Sequence, residues 1–161
     1  MELPKRKPPR LPEYDYASPG AYFVTICTKD RRCILSDITA GAAPCLQLTD
    51  TGKIVEQYIL STERMTGFHV DNYVIMPNHI HMILRIDNGP PRASAPTVSD
   101  AVGALKRLVN RSLGRSIWQR SFHEHVIRNE HDYREIWAYI DANPARWAED
   151  RYYAQSGRLE L

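Results

Sequence analysis

The sequence predicts an α+β domain built on one antiparallel β-sheet. Four segments are rich in β-branched and aromatic residues, as β-strands are. Two segments between them, and a third after the last, repeat apolar residues every three or four positions, which indicates helices. The 161 residues are enough for a single domain with a hydrophobic core, and a hydrophobic content of 43% is typical of one.

The first half of the chain begins with a predicted strand over residues 21–28. Thr49 and Asp50 then offer an N-cap for the first helix, whose apolar residues keep the helical period up to residue 65. Gly67 suits the exit of that helix. Residues 68–76 and 79–86 are the next two strands, and the break at Pro77 and Asn78 between them indicates a hairpin.

In the second half, Ser99 is the predicted cap of a helix with the buried stripe Val102, Leu105, Val109 and Leu113. Residues 116–128 follow as an irregular fourth strand. A third helix begins at His131 and Asp132 and turns Tyr133, Ile136, Trp137 and Ile140 to the core. Asn143 and Pro144 end or kink it. This order is βαββαβ, the ferredoxin-like or RRM-like pattern, with one extra C-terminal helix.

The ends and connections of the chain carry fewer signals. Residues 1–19 form a basic, proline-rich arm without the apolar segment of a secretion signal, and residues 20–161 form one domain. Residues 87–97 are predicted to be a surface loop. The net charge of +2 permits nucleic acid without requiring it, and three irregularly spaced cysteines favour a reducing compartment. With no apolar run that spans a bilayer, we expect a cytoplasmic protein.

The segment MPNHIH at residues 76–81 contains the strongest chemical signal. Because side chains alternate along a strand, His79 and His81 point to the same face and Ile80 to the other. Two adjacent imidazoles can begin a metal site. His123 and His125 share a strand face in the same way, so spacing alone leaves two candidate pairs.

Tyr139 is the candidate nucleophile. Asp132, Glu135, Tyr139 and Asn143 fall on one stripe of the third helix, away from most of its core side, so Tyr139 lies on a polar face. A tyrosine hydroxyl beside a divalent cation suggests attack on a phosphodiester, with a covalent tyrosyl–phosphate as product. The alternative for Tyr139 is packing at a helix–sheet contact.

Five segments together resemble a known family: GAYFVT at residues 20–25, MPNHIH at 76–81, IWQR at 117–120, EHVIRN at 124–129 and YIDANP at 139–144. The chain resembles the IS200-like, single-tyrosine HUH transposases and, within them, the REP-associated tyrosine transposases. The resemblance runs from about residue 20 to residue 147. MPNHIH followed in order by WQR and YIxxNP is a specific combination.

The resemblance implies a fuller site. His79 and His81 would bind a divalent metal, Mg²⁺ or Mn²⁺, and Tyr139 would be the nucleophile. Asn143 stands where IS200-like enzymes place a third, glutamine-type ligand. The family acts on single-stranded DNA with hairpin structure, leaves a 5′-phosphotyrosine and a free 3′-hydroxyl, and then reverses the step for strand transfer. The resemblance leaves open whether the chain works as a monomer or a homodimer.

Basic residues beyond this site are candidates for DNA binding, because the phosphate backbone requires cations. Three basic residues and one asparagine lie on one face of the second helix, and two arginines lie near the predicted site: Lys106, Arg107, Asn110, Arg111, Arg120 and Arg128. A solvated helix face is the alternative for such charges.

Two other functions stay open from the sequence. A ferredoxin-like sheet with a basic helix can bind structured nucleic acid without chemistry. A metal-dependent phosphodiesterase that activates water would need the histidines but not Tyr139.

Overall fold

The computed structural model describes residues 20–39, 45–65, 67–87 and 97–153. The predicted arm over residues 1–19 and most of the predicted loop, residues 88–96, lie outside these ranges. The described residues form strands β1 (Gly20–Cys27), β2 (Ser36–Thr39), β3 (Cys45–Leu48), β4 (Phe68–Ile75), β5 (His79–Ile86) and β6 (His123–Ile127). They also form helices α1 (Asp50–Ser61), α2 (Val98–Leu113) and α3 (Glu130–Ala142).

The main sheet has the strand order β4-β5-β1-β6, and every neighbouring pair is antiparallel. This is the order of a split βαβ sheet, so the predicted α+β, ferredoxin-like class is confirmed, with α3 as the extra C-terminal helix. The sequence pattern missed the separate hairpin of β2 and β3. Its strands have four residues each, too short for a clear alternation of apolar and polar positions.

Alternation along the strands gives the sheet two different faces. On one face, the even-numbered positions of β1 and β5 pack with α1 and α2 in the largest cluster of buried side chains. On the other face, Ile83 of β5 packs with Ile136 and Ile140 of α3. Since His79 and His81 have the same parity as Ile83, β5 presents them on the α3 face.

The predicted fourth strand is interrupted. His123–Ile127 joins the sheet, and Trp118 forms a separate antiparallel bridge with Thr28, just beyond β1. The segment before β6 is also tied to α2. The Lys106 ammonium donates to the Gln119 and Ser121 carbonyl oxygens, at 2.9 and 3.2 Å, and the Ile117 N–H donates to the Asn110 side chain at 3.1 Å. These bonds satisfy backbone groups that no strand partner reaches.

Three further expectations at helix ends and faces are wrong. Thr97, not Ser99, caps α2, through reciprocal hydrogen bonds with Asp100. Gly67 does not end α1, which stops at Ser61; it adopts a φ of 89° just before β4. Trp137 is 37% exposed rather than turned to the core. The cap of α1 by Thr49 is confirmed, since its hydroxyl accepts from the Gly52 N–H at 3.0 Å.

Within the described ranges, no helix is both long and apolar enough to cross a membrane. Cys27, Cys33 and Cys45 form no disulfide with one another.

Candidate functional site

Two histidines of β5 form the centre of the candidate site. The rings of His79 and His81 lie 4.5 Å apart between centroids, and both residues are buried, with 0% and 2% exposure. Their position follows from the strand alternation, which sends both rings to the α3 face. Phe23 of β1 stacks on His81 at 5.1 Å and closes one side of the pair.

Each imidazole is oriented through its Nδ1 atom. His79 Nδ1 lies 2.8 Å from Asn78 Oδ1, and His81 Nδ1 lies 2.8 Å from Thr25 Oγ1. An amide oxygen can only accept, so His79 Nδ1 carries the proton and Nε2 keeps its lone pair. The Nε2 atoms of both rings are buried without a hydrogen-bond partner, as expected for metal-ligating nitrogen atoms.

Electrostatics keep both rings neutral. Burial lowers the pKa of His79 to about 3; the nearby Asn143 side chain opposes this shift and the Arg151 charge adds to it. Burial, then the neighbouring His79 and Arg151, hold the pKa of His81 well below its usual range. A neutral imidazole is the form that binds a metal.

Asp150 is the residue that sequence reasoning missed. One carboxylate oxygen of Asp150 and one nitrogen of each histidine all lie within 4.8 Å of one another. Its side chain is only 3% exposed, and Asp150 Oδ2 is 3.8 Å from His79 Nε2. Burial raises the pKa of this carboxyl, while the Tyr152 N–H and Arg151 lower it. Two imidazole nitrogens and a carboxylate oxygen suit a divalent cation such as Mn²⁺, so these residues fit the predicted metal.

Asp150 follows the 3-10 segment Pro144–Glu149, which turns the chain back toward the histidines. Trp147 of this segment and Tyr152, which follows it, are buried against Cys27 and Met76. The aromatic residues around Asp150 in the sequence WAEDRYY are the only signal that this stretch is packed. Nothing in the spacing relates it to residues 79–81.

Asn143 lies where α3 ends, with 3% exposure. Its Oδ1 atom is buried and has no hydrogen-bond partner. Its side chain is close enough to influence the pKa of both His79 and Tyr139. Asn143 and Asp150 therefore both present an oxygen near the histidine pair.

Tyr139 lies on α3 beside the histidines and is 43% exposed. Its ring centroid is 5.4 Å from that of His81 and 6.0 Å from that of Phe23. Burial raises the pKa of Tyr139, the Asn143 side chain and Arg151 lower it, and Asp150 raises it. The structure thus brings the predicted Tyr139, His79, His81 and Asn143 together.

The competing pair on β6 is arranged differently. His123 and His125 are both exposed. His125 Nε2 lies 3.0 Å from Asp132 Oδ2, an ion pair that joins β6 to the start of α3. Among the described residues, the group of three possible ligands within 4.8 Å contains His79 and His81 but neither of these histidines.

The predicted DNA-binding residues divide into two groups. Arg107, Arg111, Arg120 and Arg128 are exposed. Lys106 and Asn110 are instead engaged with the segment before β6, as described above. α2 packs on the sheet face opposite α3, so its basic side and the histidine pair belong to different layers.

No family model matches the chain, but two bacterial proteins have similar sequences. An uncharacterised protein of Haemophilus influenzae is 32% identical over 92% of this chain and 93% of its own length. The REP-associated tyrosine transposase of Escherichia coli is 28% identical over 81% of this chain and 70% of its own.

A solved structure of a REP-associated tyrosine transposase bound to a REP hairpin matches 91% of this chain and 74% of that one. The TM-score is 0.62 and the sequence identity 26%. In sequence and in fold, the chain is similar to the REP-associated tyrosine transposases. The predicted resemblance is confirmed, and it makes the chain a relative of DNA-processing enzymes.

Proposed function

We propose that the chain is a metal-dependent endonuclease and strand transferase that acts on single-stranded DNA through Tyr139. The observation that carries the proposal is the position of Tyr139, whose ring lies 5.4 Å from the ring of His81 in a buried histidine pair. A nucleophile directly beside two unpartnered imidazole nitrogens has the arrangement needed for metal-assisted phosphoryl transfer.

Tyr139 Oη loses its proton to solvent and attacks the scissile phosphorus, and the bond from phosphorus to the 3′-oxygen breaks. The DNA then carries a 5′-phosphotyrosine on one side, and the leaving 3′-oxygen takes up a proton to become a hydroxyl. Attack by a 3′-hydroxyl on the phosphotyrosine reverses these bond changes and joins strands without an external energy source. Burial raises the pKa of Tyr139, and the Asn143 side chain and Arg151 partly offset this rise.

His79, His81 and either Asp150 or Asn143 would hold the divalent metal, Mg²⁺ or Mn²⁺. When bound, the cation polarises the scissile phosphate and stabilises charge in the transition state. Asn78 and Thr25 hold the two imidazoles in orientation. Asp150 contributes a formal negative charge and Asn143 only a dipole, so Asp150 is the stronger ligand for a hard cation.

The proposed substrate is hairpin-containing single-stranded DNA, because a related transposase was solved with a REP hairpin bound. The exposed Arg107, Arg111, Arg120 and Arg128 would contact its phosphates. The catalytic domain would comprise residues 20–161, with the basic residues 1–19 as an arm, and the protein would act in the cytoplasm.

The deciding experiment incubates the protein with labelled single-stranded hairpin DNA and Mn²⁺ and resolves the products on a denaturing gel. We expect a DNA–protein adduct that survives denaturation in the wild type and disappears in Tyr139→Phe, because the phenyl ring has no nucleophilic oxygen. Tyr153→Phe is a matched control, since Tyr153 is 41% exposed and makes no proposed contact with the phosphate.

Each alternative function has its own result in this assay. Cleavage without an adduct would indicate a phosphodiesterase that uses water. Hairpin binding with no cleavage would indicate a non-catalytic binding module. An adduct of normal yield in Tyr139→Phe would exclude Tyr139 as the nucleophile.

Asp150→Asn tests the proposed third ligand. We expect Mn²⁺ affinity, measured by calorimetry, to fall by about tenfold or more, because the substitution keeps the shape but removes the charge. Asp37→Asn, at an exposed position of β2, serves as the control. If affinity instead falls only in Asn143→Ala and is unchanged in Asp150→Asn, the third ligand is Asn143.

A further inference from the structure

The side chain of Asn78 connects the histidine site to two other segments. Its Oδ1 atom accepts from His79 Nδ1, and its Nδ2 atom donates to the Tyr152 carbonyl oxygen at 2.7 Å and to the Arg31 carbonyl oxygen at 3.4 Å. Asn78 itself is 1% exposed. One buried amide therefore fixes the turn that carries Arg31 and the segment that carries Arg151 relative to His79.

The guanidinium groups of these two segments meet at one aromatic ring. The Cζ atoms of Arg31 and Arg151 lie 5.7 and 4.7 Å from the centroid of Tyr152. Arg151 also donates to the Tyr152 hydroxyl at 2.8 Å. The centroid of the Tyr152 ring also lies 4.5 Å from that of the His79 ring. The Tyr152 ring thus contacts two cationic side chains and also His79, a proposed metal ligand.

The turn that presents Arg31 is strained. Asp30 and Arg31 have φ values of 56° and 54°, in the left-handed region that side chains disfavour. Strain of this kind persists where surrounding contacts impose it, and it is concentrated at functional sites. The hydrogen bond from Asn78 Nδ2 to the Arg31 carbonyl oxygen is one such contact in this turn.

Among the described residues, neither guanidinium forms a direct ion pair with a carboxylate, although the Arg151 charge lowers the pKa of Asp150. The described arginines that form ion pairs are Arg85 and Arg134. Arg31 and Arg151 are exposed and lie outside these pairs. The charge of Arg151 also lowers the pKa of His79, His81 and Tyr139, so its field reaches both the nucleophile and the predicted ligands.

We propose that Arg31 and Arg151, supported on Tyr152, form a phosphate clamp for the DNA strand that enters the site. Arg151 grips the scissile phosphate between Tyr139 and the histidines, and Arg31 grips a neighbouring phosphate of the same strand. A guanidinium suits this role because it can donate two parallel hydrogen bonds to one phosphate. The clamp rests on the proposed function, since it assumes that DNA reaches Tyr139.

The test measures binding without catalysis. Anisotropy of a fluorescein-labelled single-stranded hairpin oligonucleotide with unpaired tails is followed in EDTA over a series of KCl concentrations. Each lost phosphate contact should reduce the slope of log affinity against log salt by about 0.7 for a single strand. We expect this reduction in Arg31→Gln and in Arg151→Gln, and an unchanged slope in Arg134→Gln, the exposed arginine paired with Glu130.

Arg151→Lys separates charge from packing. A lysine still pairs with a phosphate as a point charge, so this variant should recover the wild-type salt slope while its rate of adduct formation stays reduced. If Arg151→Lys lost the slope as fully as Arg151→Gln, the guanidinium would act only through its contact with Tyr152, and the clamp would be refuted. Wild-type slopes in both glutamine variants would refute it as well.

Failure of the clamp and failure of the proposed function give different results. Unchanged slopes with a normal Tyr139 adduct would remove the clamp and leave the transesterase. Reduced slopes with no adduct in any protein would keep the clamp and remove the proposed chemistry.

Discussion

The buried imidazoles of His79 and His81 owe their form to what surrounds them. Burial disfavours the charged ring, and for His79 the amide of Asn78 also takes the Nδ1 proton. The Nε2 lone pair of His79 is therefore available without a deprotonation step. Each ring contributes one Nε2 atom that is buried without a hydrogen-bond partner, which is unfavourable unless a cation binds there.

This arrangement predicts an acid-sensitive metal-free protein. The folded pKa of His79 is about 3, below the unfolded value of 6.5, so the unfolded chain binds more protons between these values. The stability that the neutral His79 ring contributes is fully present above pH 6.5 and is lost as the pH falls towards 3. The loss should be about 1.4 kcal/mol per pH unit for each such histidine.

Urea denaturation in EDTA at several pH values measures this dependence. His79→Gln should show a shallower decline of the free energy of unfolding than the wild type. His131→Gln should not, because the His131 side chain is 83% exposed. Parallel declines in all three proteins would mean that His79 is not buried in neutral form.

At the level of the elements, α3 is fastened to the edge of the sheet by polar contacts. β4 contains a bulge between Val70 and Asn72, which leaves Asp71 outside the regular ladder. Asp71 Oδ2 accepts from the Tyr133 hydroxyl at 2.8 Å, and the Asn72 side chain donates to Asp141 at 3.1 Å. These bonds hold both halves of the helix that carries Tyr139.

Tyr133→Phe should therefore slow adduct formation without weakening hairpin binding, because it loosens the helix that positions Tyr139. Tyr73→Phe is a matched control: its hydroxyl donates to Glu56 at 2.7 Å, which belongs to α1 on the opposite layer. Each substitution should lower stability by about 1 kcal/mol, the usual value of one hydrogen bond. Only Tyr133→Phe should change the single-turnover rate on the denaturing gel. Equal rates in the two variants would show that the Tyr133–Asp71 bond has no positioning role.

At the scale of the whole molecule, one chain supplies every part of the proposed site. β1 contributes Thr25, β5 the histidines, α3 Tyr139, and the C-terminal segment Asp150. The contacts of α3 with β4 are made within the same chain. We therefore expect Tyr139 to act on DNA bound by its own histidines.

Mixing two inactive variants tests this expectation. Tyr139→Phe keeps the histidines and His79→Ala keeps the nucleophile, so a mixture regains activity only if helices are exchanged between chains. We expect no more adduct from the mixture than from the two variants assayed separately. Recovery of adduct to a substantial fraction of the wild-type yield would show that α3 is exchanged in a dimer.

The sequence predicts the parts of this molecule that local patterns encode. Alternation places His79 and His81 on one face, and helical period places Tyr139 on a polar one, because each needs only the geometry of its own element. The position of Asp150 beside the histidines depends on the path of the chain after Pro144, which no helical or strand period in the sequence describes. Lys106 was predicted to contact DNA from its helix face, yet its ammonium reaches carbonyl oxygens 13 to 15 residues away. Such contacts depend on tertiary packing.

The two-faced sheet also affects how such a protein changes over generations. The large apolar cluster lies with α1 and α2, whereas the proposed site lies with α3. Many substitutions that end the proposed activity should leave that cluster, and so the folded state, intact. A variant that has lost this activity is then not discarded as misfolded protein. It can persist in a lineage as a folded domain, open to selection for whatever its surface still binds.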